Sequence, residues 1–389
     1  KNKNIEIDVD KLLELDKERR KIQSTVDDLR KQRNVITEKI KLITQELKKS
    51  GGEIKDHKNL FAEASVIKTK VQEQEEVLNT VLTRYNTLLL QIPNITSSTM
   101  PVGKNEDENV VIKKWGNLPN FNFKPKDHIT LGKKLDLIDI ETSAKVSGSR
   151  FYYLKNEAVT MQFAIIQLVF DTLQNESVLK EIAKDNNLDV STKPFAPVLP
   201  PVIMRQDIMQ KMDRLEPKDQ RYILPDDNQV FVGSAEHTMG PYYMDTTLDE
   251  KQLPIRFIGY STAFRREAGT YGKDMGGILR VHQFDKLEME TFTTAESGED
   301  EQKFIVAIQE YLVQQLEIPY QLIQICTGDT GKPDFNQFDI ECYIPSQKKY
   351  RETHTSDYMT DYQARRLKTF YKTEKGEKKL VHMNDATAF

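Results

Sequence analysis

Thr262-Ala-Phe-Arg-Arg-Glu-Ala-Gly-Thr-Tyr-Gly-Lys-Asp-Met-Gly-Gly-Ile-Leu-Arg-Val-His-Gln-Phe-Asp-Lys-Leu-Glu288 is the stretch from which the rest of the chain is read. Its ends are rich in strand formers and its middle holds four glycines, which predicts a strand, a loop and a return strand. We place the strands at Ile255–Arg265 and Leu279–Thr291. Successive side chains of a strand point to opposite faces. Arg280, His282, Phe284, Lys286 and Glu288 therefore share one face. Val281, Leu287 and Met289 share the other, with Gln283 and Asp285 between them. The apolar set suits a core. The first set gathers cations, a ring and a carboxylate, an unfavourable group to crowd together without a ligand. Arg265 and Glu267 flank the loop on the incoming strand. Fixed cations, an aromatic face and a selective carboxylate suit an adenine nucleotide plus a small polar substrate. The same residue types also fit a solvated charged hairpin.

Downstream lies Arg351-Glu-Thr-His-Thr-Ser-Asp-Tyr-Met-Thr-Asp-Tyr-Gln-Ala-Arg-Arg366. Glu352 and Thr355 offer hard oxygens, the ligand type that holds Mg²⁺ on a triphosphate. The alternative is a polar turn before a helix starting near Asp361. His354 has no His or Cys at metal spacing, which argues against zinc. Further strands are predicted near Ala196–Met204, Tyr320–Cys326 and Phe338–Tyr343, and a helix over Ala158–Leu173. Ser177–Pro194 reads as an insertion with its own helix. Neighbouring strand pairs with loops of variable length predict an α+β domain, an antiparallel sheet with helices packed on it. No internal repeat, no GxxxxGK[ST] and no GxGxxG is present.

Upstream, the periodicity changes. Leu15, Arg19, Ile22, Val26, Leu29, Arg33, Ile36, Ile40, Ile43 and Leu47 alternate spacings of four and three. Leu60, Ala64, Ile67, Val71, Gln74, Leu78, Val81, Tyr85, Leu88 and Ile92 repeat that alternation. Two such seams predict two long helices, with a turn at Ser50-Gly51-Gly52 and an end near Pro93. The expectation is an antiparallel coiled-coil hairpin over residues 1–100 that projects into solvent, each arm about 60 Å long. Lys41, Lys48, Lys49, Lys55 and Lys58 crowd toward its far half. Phosphate contact with a nucleic acid is one reading, a solvated charged face the other. Residues 94–125 are rich in Pro, Gly and Asn and read as a surface crossing, partly extended at Val110-Val111-Ile112.

The chain has 389 residues, enough for two or three domains. Lys and Arg number 56 against 60 Asp and Glu, which excludes a wholly basic nucleic-acid coat. Two cysteines support neither a disulfide framework nor a four-cysteine zinc site, so a reducing compartment is expected. Apolar runs fall well short of the roughly 20 residues of a membrane span. The first residue is Lys1, so a trimmed N-terminus is expected and an organellar leader stays open; otherwise the cytoplasm is the expected location.

These residues resemble the seryl-tRNA synthetases of the bacterial and eukaryotic type, class II aminoacyl-tRNA synthetases, over nearly the whole chain. The resemblance rests on Ile92-Pro-Asn-Ile95, Pro101-Val-Gly103, Trp115-Gly116, Leu135-Asp-Leu-Ile-Asp139, Lys145-Val-Ser-Gly-Ser-Arg-Phe151 and Pro200-Pro201. It is most specific at Phe264-Arg-x-Glu-Ala-Gly269, at His282-Gln-Phe-x-Lys-x-Glu288 and at Asp361-Tyr-Gln-Ala-Arg-Arg366.

The resemblance implies a tRNA-binding arm over residues 1–100 and a class II catalytic domain over 101–389. It implies that Ser234, Ala235 and Glu236 occupy the segment that contacts serine, with Glu288 and Thr387 completing that pocket. Arg265 and Arg280 would serve catalysis. Arg265, Arg266, Glu267, Phe284, Glu352, Thr353, His354 and Thr355 would bind ATP, with Glu352 and Thr355 beside Mg²⁺. The five hairpin lysines would bind tRNA(Ser), and the Pro200-Pro201 region would build a homodimer. The implied reaction is ATP-dependent formation of seryl adenylate and transfer of serine to tRNA. The other possibility is a non-catalytic relative that only binds tRNA. Gly276, Asp357-Tyr358 and Asp385 depart from the family pattern. The chain stops at Phe389 just where motif 3 begins, so residues 1–389 alone are expected to activate serine poorly; robust adenylate formation by them would contradict this.

Overall fold

The computed structural model describes residues 3–50, 58–268 and 276–389, with the side chains of 48–50 outside that description. The chain forms two compact units, residues 5–93 and residues 1–4 with 94–389.

The first unit is a pair of helices, α1 (Val9–Ser50) and α2 (Lys58–Leu89). All positions of the two apolar seams are at least partly buried, Arg33 excepted. Ile36, Ile67 and Val71 form one cluster with Leu29, Ile40, Leu60 and Ala64. The pairing is antiparallel: Arg19 lies over the Tyr85 ring at 5.2 Å, and Arg30 Nη2 donates to Glu75 Oε1 at 2.7 Å. Arg19 thus keeps its seam position by covering a ring instead of burying its charge. The predicted turn at Gly51-Gly52 lies outside the described residues.

The second unit is built on an eight-stranded sheet. Its strands are β1 (Val110–Trp115), β2 (Ala196–Val198), β3 (Ile255–Phe264), β4 (Gln283–Thr293), β5 (Tyr320–Gln324), β6 (Asn336–Ile344), β7 (Lys349–Thr360) and β8 (His382–Thr387). Their order is β1-β5-β6-β7-β8-β4-β3-β2, antiparallel except where β2 joins β3. Helices α3 (Glu157–Leu173), α4 (Glu176–Asp185) and α5 (Gly298–Gln315) cover one face. Ile258, Leu287, Met289 and Ala386 meet Phe304, Ile305, Ile308 and Leu312 there. The alternation predicted for the return strand is therefore the one that packs the core, and it leaves Glu288 and Glu290 on the other face.

The expected strands differ from the observed ones in several places, and β8 has no counterpart among them. The predicted strand Ala196–Met204 divides into β2 and Ile203–Arg205, because Pro200-Pro201 cannot continue a ladder. The return strand begins at Gln283, so Arg280 and His282 belong to the segment before it. Lys349–Thr360 is a twelve-residue strand and not a polar turn. Pairing on both sides holds it there despite its polar composition. Among the described residues, no helix is long and apolar enough to cross a membrane.

Candidate active site

On the uncovered face of the sheet, a cavity of about 420 Å³ opens. Ser234, Glu236, Arg265, Glu267, Arg280, Lys286, Glu288, Thr355, Asp357 and Asp385 are among the side chains lining it. A second cavity of about 720 Å³ shares Arg265, Glu267 and Arg280 with the first. It adds Phe284, Glu341, Arg351 and Glu352. Three charged side chains thus stand between two compartments, one small and lined by carboxyl groups, one larger with a ring on its wall.

The first compartment depends on a close approach. Glu288 of β4 pairs with Gly259 of β3. A Cβ at Gly259 would collide with Met239 and crowd Ala235. The bare backbone there lets the Ser234–Met239 segment lie against the sheet. Ser234 Oγ then donates to Glu288 Oε2 at 2.9 Å. Lys286, two residues before Glu288 on the same face, pairs with that same oxygen. Glu288 is 1% exposed, and its other oxygen, Oε1, is buried with no hydrogen-bond partner among the described residues. Thr387 of β8 is the cross-strand neighbour of Glu288 and is also buried. A buried carboxylate with one oxygen held and the other open is an acceptor in want of a donor.

The cations come from the ends of the strands. Arg265 Nε donates to the Gly233 carbonyl at 3.1 Å, and its guanidinium lies 5.3 Å from the Phe284 ring. Arg280 Nη1 donates to Glu267 Oε2 at 2.7 Å. Arg266 is exposed and lies over Tyr222. Arg221, half-buried beside Arg265, is pushed down to about 10 by burial and by the Arg265 and Arg214 charges. Its Nε has no hydrogen-bond partner among the described residues. Two crowded guanidinium groups favour an anion between them.

In the second compartment a bulge does the positioning. Between Ile340/His354 and Glu341/Glu352 the β6–β7 register shifts, so Thr353 is the extra residue. Without it Glu352 and Thr355, three apart, would face opposite ways. With it they share a face with Glu341 and Asp339. Burial, with the Glu352 charge second, pushes the Asp339 carboxyl up to about 8. Desolvation raises the Glu352 carboxyl, the Arg265 attraction opposing. Among the described residues no three His, Cys, Asp or Glu side chains are placed to hold a metal by themselves. Glu352 and Thr355 fit an ion that brings other ligands with it, as Mg²⁺ on a triphosphate does.

The remaining predicted residues fall elsewhere. Ala235 packs into a core cluster with Met239 and Phe257. Thr353 Oγ1 hydrogen-bonds the Ile340 carbonyl at 3.1 Å. His354 is buried on the opposite face, its ring against Phe389. Lys41 and Lys58 are exposed. Lys55 and the side chains of Lys48 and Lys49 lie outside the described residues. Arg214, Arg221 and His237 also line the cavity, and sequence reasoning missed all three. His237 left a signal beside Glu236, but Arg214 and Arg221 sit in irregular backbone with no periodicity to mark them. Lys286 was legible from its alternation with Glu288.

Two family profiles match the chain. The seryl-tRNA synthetase N-terminal domain matches residues 1–96. The tRNA synthetase class II core domain of the G, H, P, S and T group matches residues 224–389. A serine–tRNA ligase from Dictyoglomus turgidum is 39% identical over 383 residues, 98% of this chain and 84% of the relative. Among solved structures, the seryl-tRNA synthetase from Pyrococcus horikoshii complexed with ATP is similar at a TM-score of 0.82 and 33% identity. The match covers 98% of this chain and 85% of that one. The cytoplasmic serine–tRNA ligase from Naegleria fowleri in complex with AMP is similar at a TM-score of 0.74 and 25% identity, over 98% of this chain and 83% of that one. The chain belongs to the seryl-tRNA synthetase family, and with it to the class II aminoacyl-tRNA ligases.

Proposed function

We propose that the protein activates L-serine with ATP to seryl adenylate and transfers the seryl group to the 3′ end of tRNA(Ser). The observation that carries this reading is the buried Oε1 of Glu288, without a hydrogen-bond partner among the described residues, on the wall of the cavity on the uncovered sheet face. A serine hydroxyl is the donor that oxygen lacks. Alanine would leave it unpaired, and a site built for a hydroxyl rejects the analogue without one by a factor of about 10⁴. Thr387, cross-strand from Glu288, would close the pocket against larger side chains.

ATP would lie across the second compartment, with adenine on Phe284 and its amino group at Glu267. The serine carboxylate attacks the α-phosphorus, a new P–O bond forms, and the bond to pyrophosphate breaks. Little covalent chemistry falls to the protein. Arg265 and Arg280 orient the phosphate and offset the charge that builds on its oxygens. Glu352 and Thr355 would hold Mg²⁺. When bound, that ion supplies charge neutralisation to the phosphates. The terminal ribose hydroxyl of tRNA then attacks the seryl carbonyl, and AMP leaves.

We assign tRNA binding to the helical unit, through Lys41, Lys58 and the lysines between them. We assign a homodimer to the second unit. Val159 and Phe163 of α3, four positions apart and so on one side of the helix, are apolar and exposed, a pair that water does not favour. Two free, buried cysteines suit a reducing compartment, and we place the protein in the cytoplasm. Charging of labelled serine onto total tRNA tests the reading. Serine-dependent acid-precipitable label is expected. A folded full-length protein that charges no tRNA with serine would refute it.

A further inference from the structure

We propose that Arg214 is a positioning residue for amino-acid recognition, holding Glu236 as the carboxylate that receives the α-ammonium group of serine. This deepens the serine reading above and rests on it. Arg214 comes from the irregular segment between the helix Gln206–Lys211 and the strand Ile223–Leu224. It reaches three carboxyl groups, hydrogen-bonding two of them and lying 4.0 Å from Asp334 Oδ1. Nε donates to Glu236 Oε1 at 2.7 Å, and Nη2 donates to Asp385 Oδ2 at 3.2 Å. Gln363 Nε2 donates to the same Glu236 oxygen at 3.2 Å. Two donors therefore fix one oxygen of a carboxyl group that is 5% exposed and lines the cavity.

The surroundings make the guanidinium necessary. Glu290, Asp385 and Asp357 stand side by side on β4, β8 and β7, each opposite the next. All three are buried, and neither oxygen of Glu290 has a partner among the described residues. Beside such a row, Glu236 without a cation would take up a proton, and a neutral acid holds an ammonium group poorly. Burial works to raise the Glu236 carboxyl, but the attraction of Arg214 outweighs it and holds Glu236 well below the usual carboxylate range. Burial, then repulsion from Glu236 and Asp357, pushes Asp385 well above that range. Glu236 is left as the anion of the group, on the wall of the cavity.

The test separates recognition of the ammonium group from support of the fold. Calorimetry measures binding of the seryl sulfamoyl adenosine analogue and of its desamino counterpart to the full-length protein and its variants. Arg214→Gln is expected to weaken the seryl compound at least about tenfold and the desamino compound less than about twofold. Arg214→Lys keeps the charge and recovers part of the loss. Far-UV circular dichroism checks folding, and where Arg214→Gln does not fold, Arg214→Lys against the same pair of compounds decides. Equal losses on both compounds would make Arg214 purely structural and overturn the proposal, as would unchanged affinity for the seryl compound. If the wild-type protein bound the seryl compound no better than adenosine, the serine reading itself would fall.

Discussion

Glu288 shows what a single residue position transmits from sequence to chemistry. Its place on the cleft face follows from strand alternation, and the core residues Leu287 and Met289 on either side enforce it. Its open oxygen does not follow from the sequence, because that depends on Ser234 and Lys286 both taking Oε2. Glu288→Gln keeps the shape and removes the charge. A hydrogen bond to a charged group is worth about 1.5–3 kcal/mol, so kcat/KM for serine is expected to fall about 10- to 150-fold. Steady-state kinetics with serine varied at saturating ATP checks this. Arg214 is the opposite case. It acts from a loop, its partners are 22 and 171 positions away, and no local pattern points to it.

At the scale of elements, helices were easier to read than strand ends. The two seams of the hairpin run for ten positions each, and the structure at least partly buries all of them but Arg33. The polar strand β7 was not legible as a strand, since its neighbours and not its composition hold it in the sheet. The bulge at Thr353 left no trace either, although it decides which way Glu352 faces. The segment after Gly233 makes its own prediction. His237 Nδ1 accepts from the Gly233 N–H at 3.1 Å, and burial pulls the imidazole down to about 3, the Glu236 charge opposing. The folded state thus refuses a proton that the unfolded chain binds near pH 6.5. The stability that neutral His237 contributes is complete above about pH 6.5 and is lost as the pH falls toward 3, by at most about 1.4 kcal/mol per pH unit. His237→Asn is expected to flatten the loss of stability between pH 7 and 5 in urea titrations. An unchanged slope would assign the acid sensitivity to other groups.

At the scale of the molecule, the change of period divides the sequence near residue 100, and the structure separates residues 5–93 from 1–4 with 94–389. The proposed homodimer comes from the resemblance at Pro200-Pro201 and from the exposed side of α3, and no seam in the sequence marks either. Val159→Asp with Phe163→Asp is expected to convert the protein to monomers by light scattering. A dimer of unchanged mass would place the interface elsewhere. For the helical unit, replacing Lys41 and Lys58 by Glu should weaken tRNA(Ser) binding and lower the slope of log K against log salt by about 2, one per phosphate contact. A weaker complex with an unchanged slope would mean that these lysines do not touch phosphate. The central claim is that a buried carboxylate oxygen selects an amino acid by its hydroxyl. ATP–pyrophosphate exchange by the full-length protein tests it most directly, with serine, threonine, alanine and glycine compared side by side. Exchange is expected with serine and at least about 10⁴-fold less with alanine. Comparable exchange with alanine, or none with serine from folded protein, would contradict it.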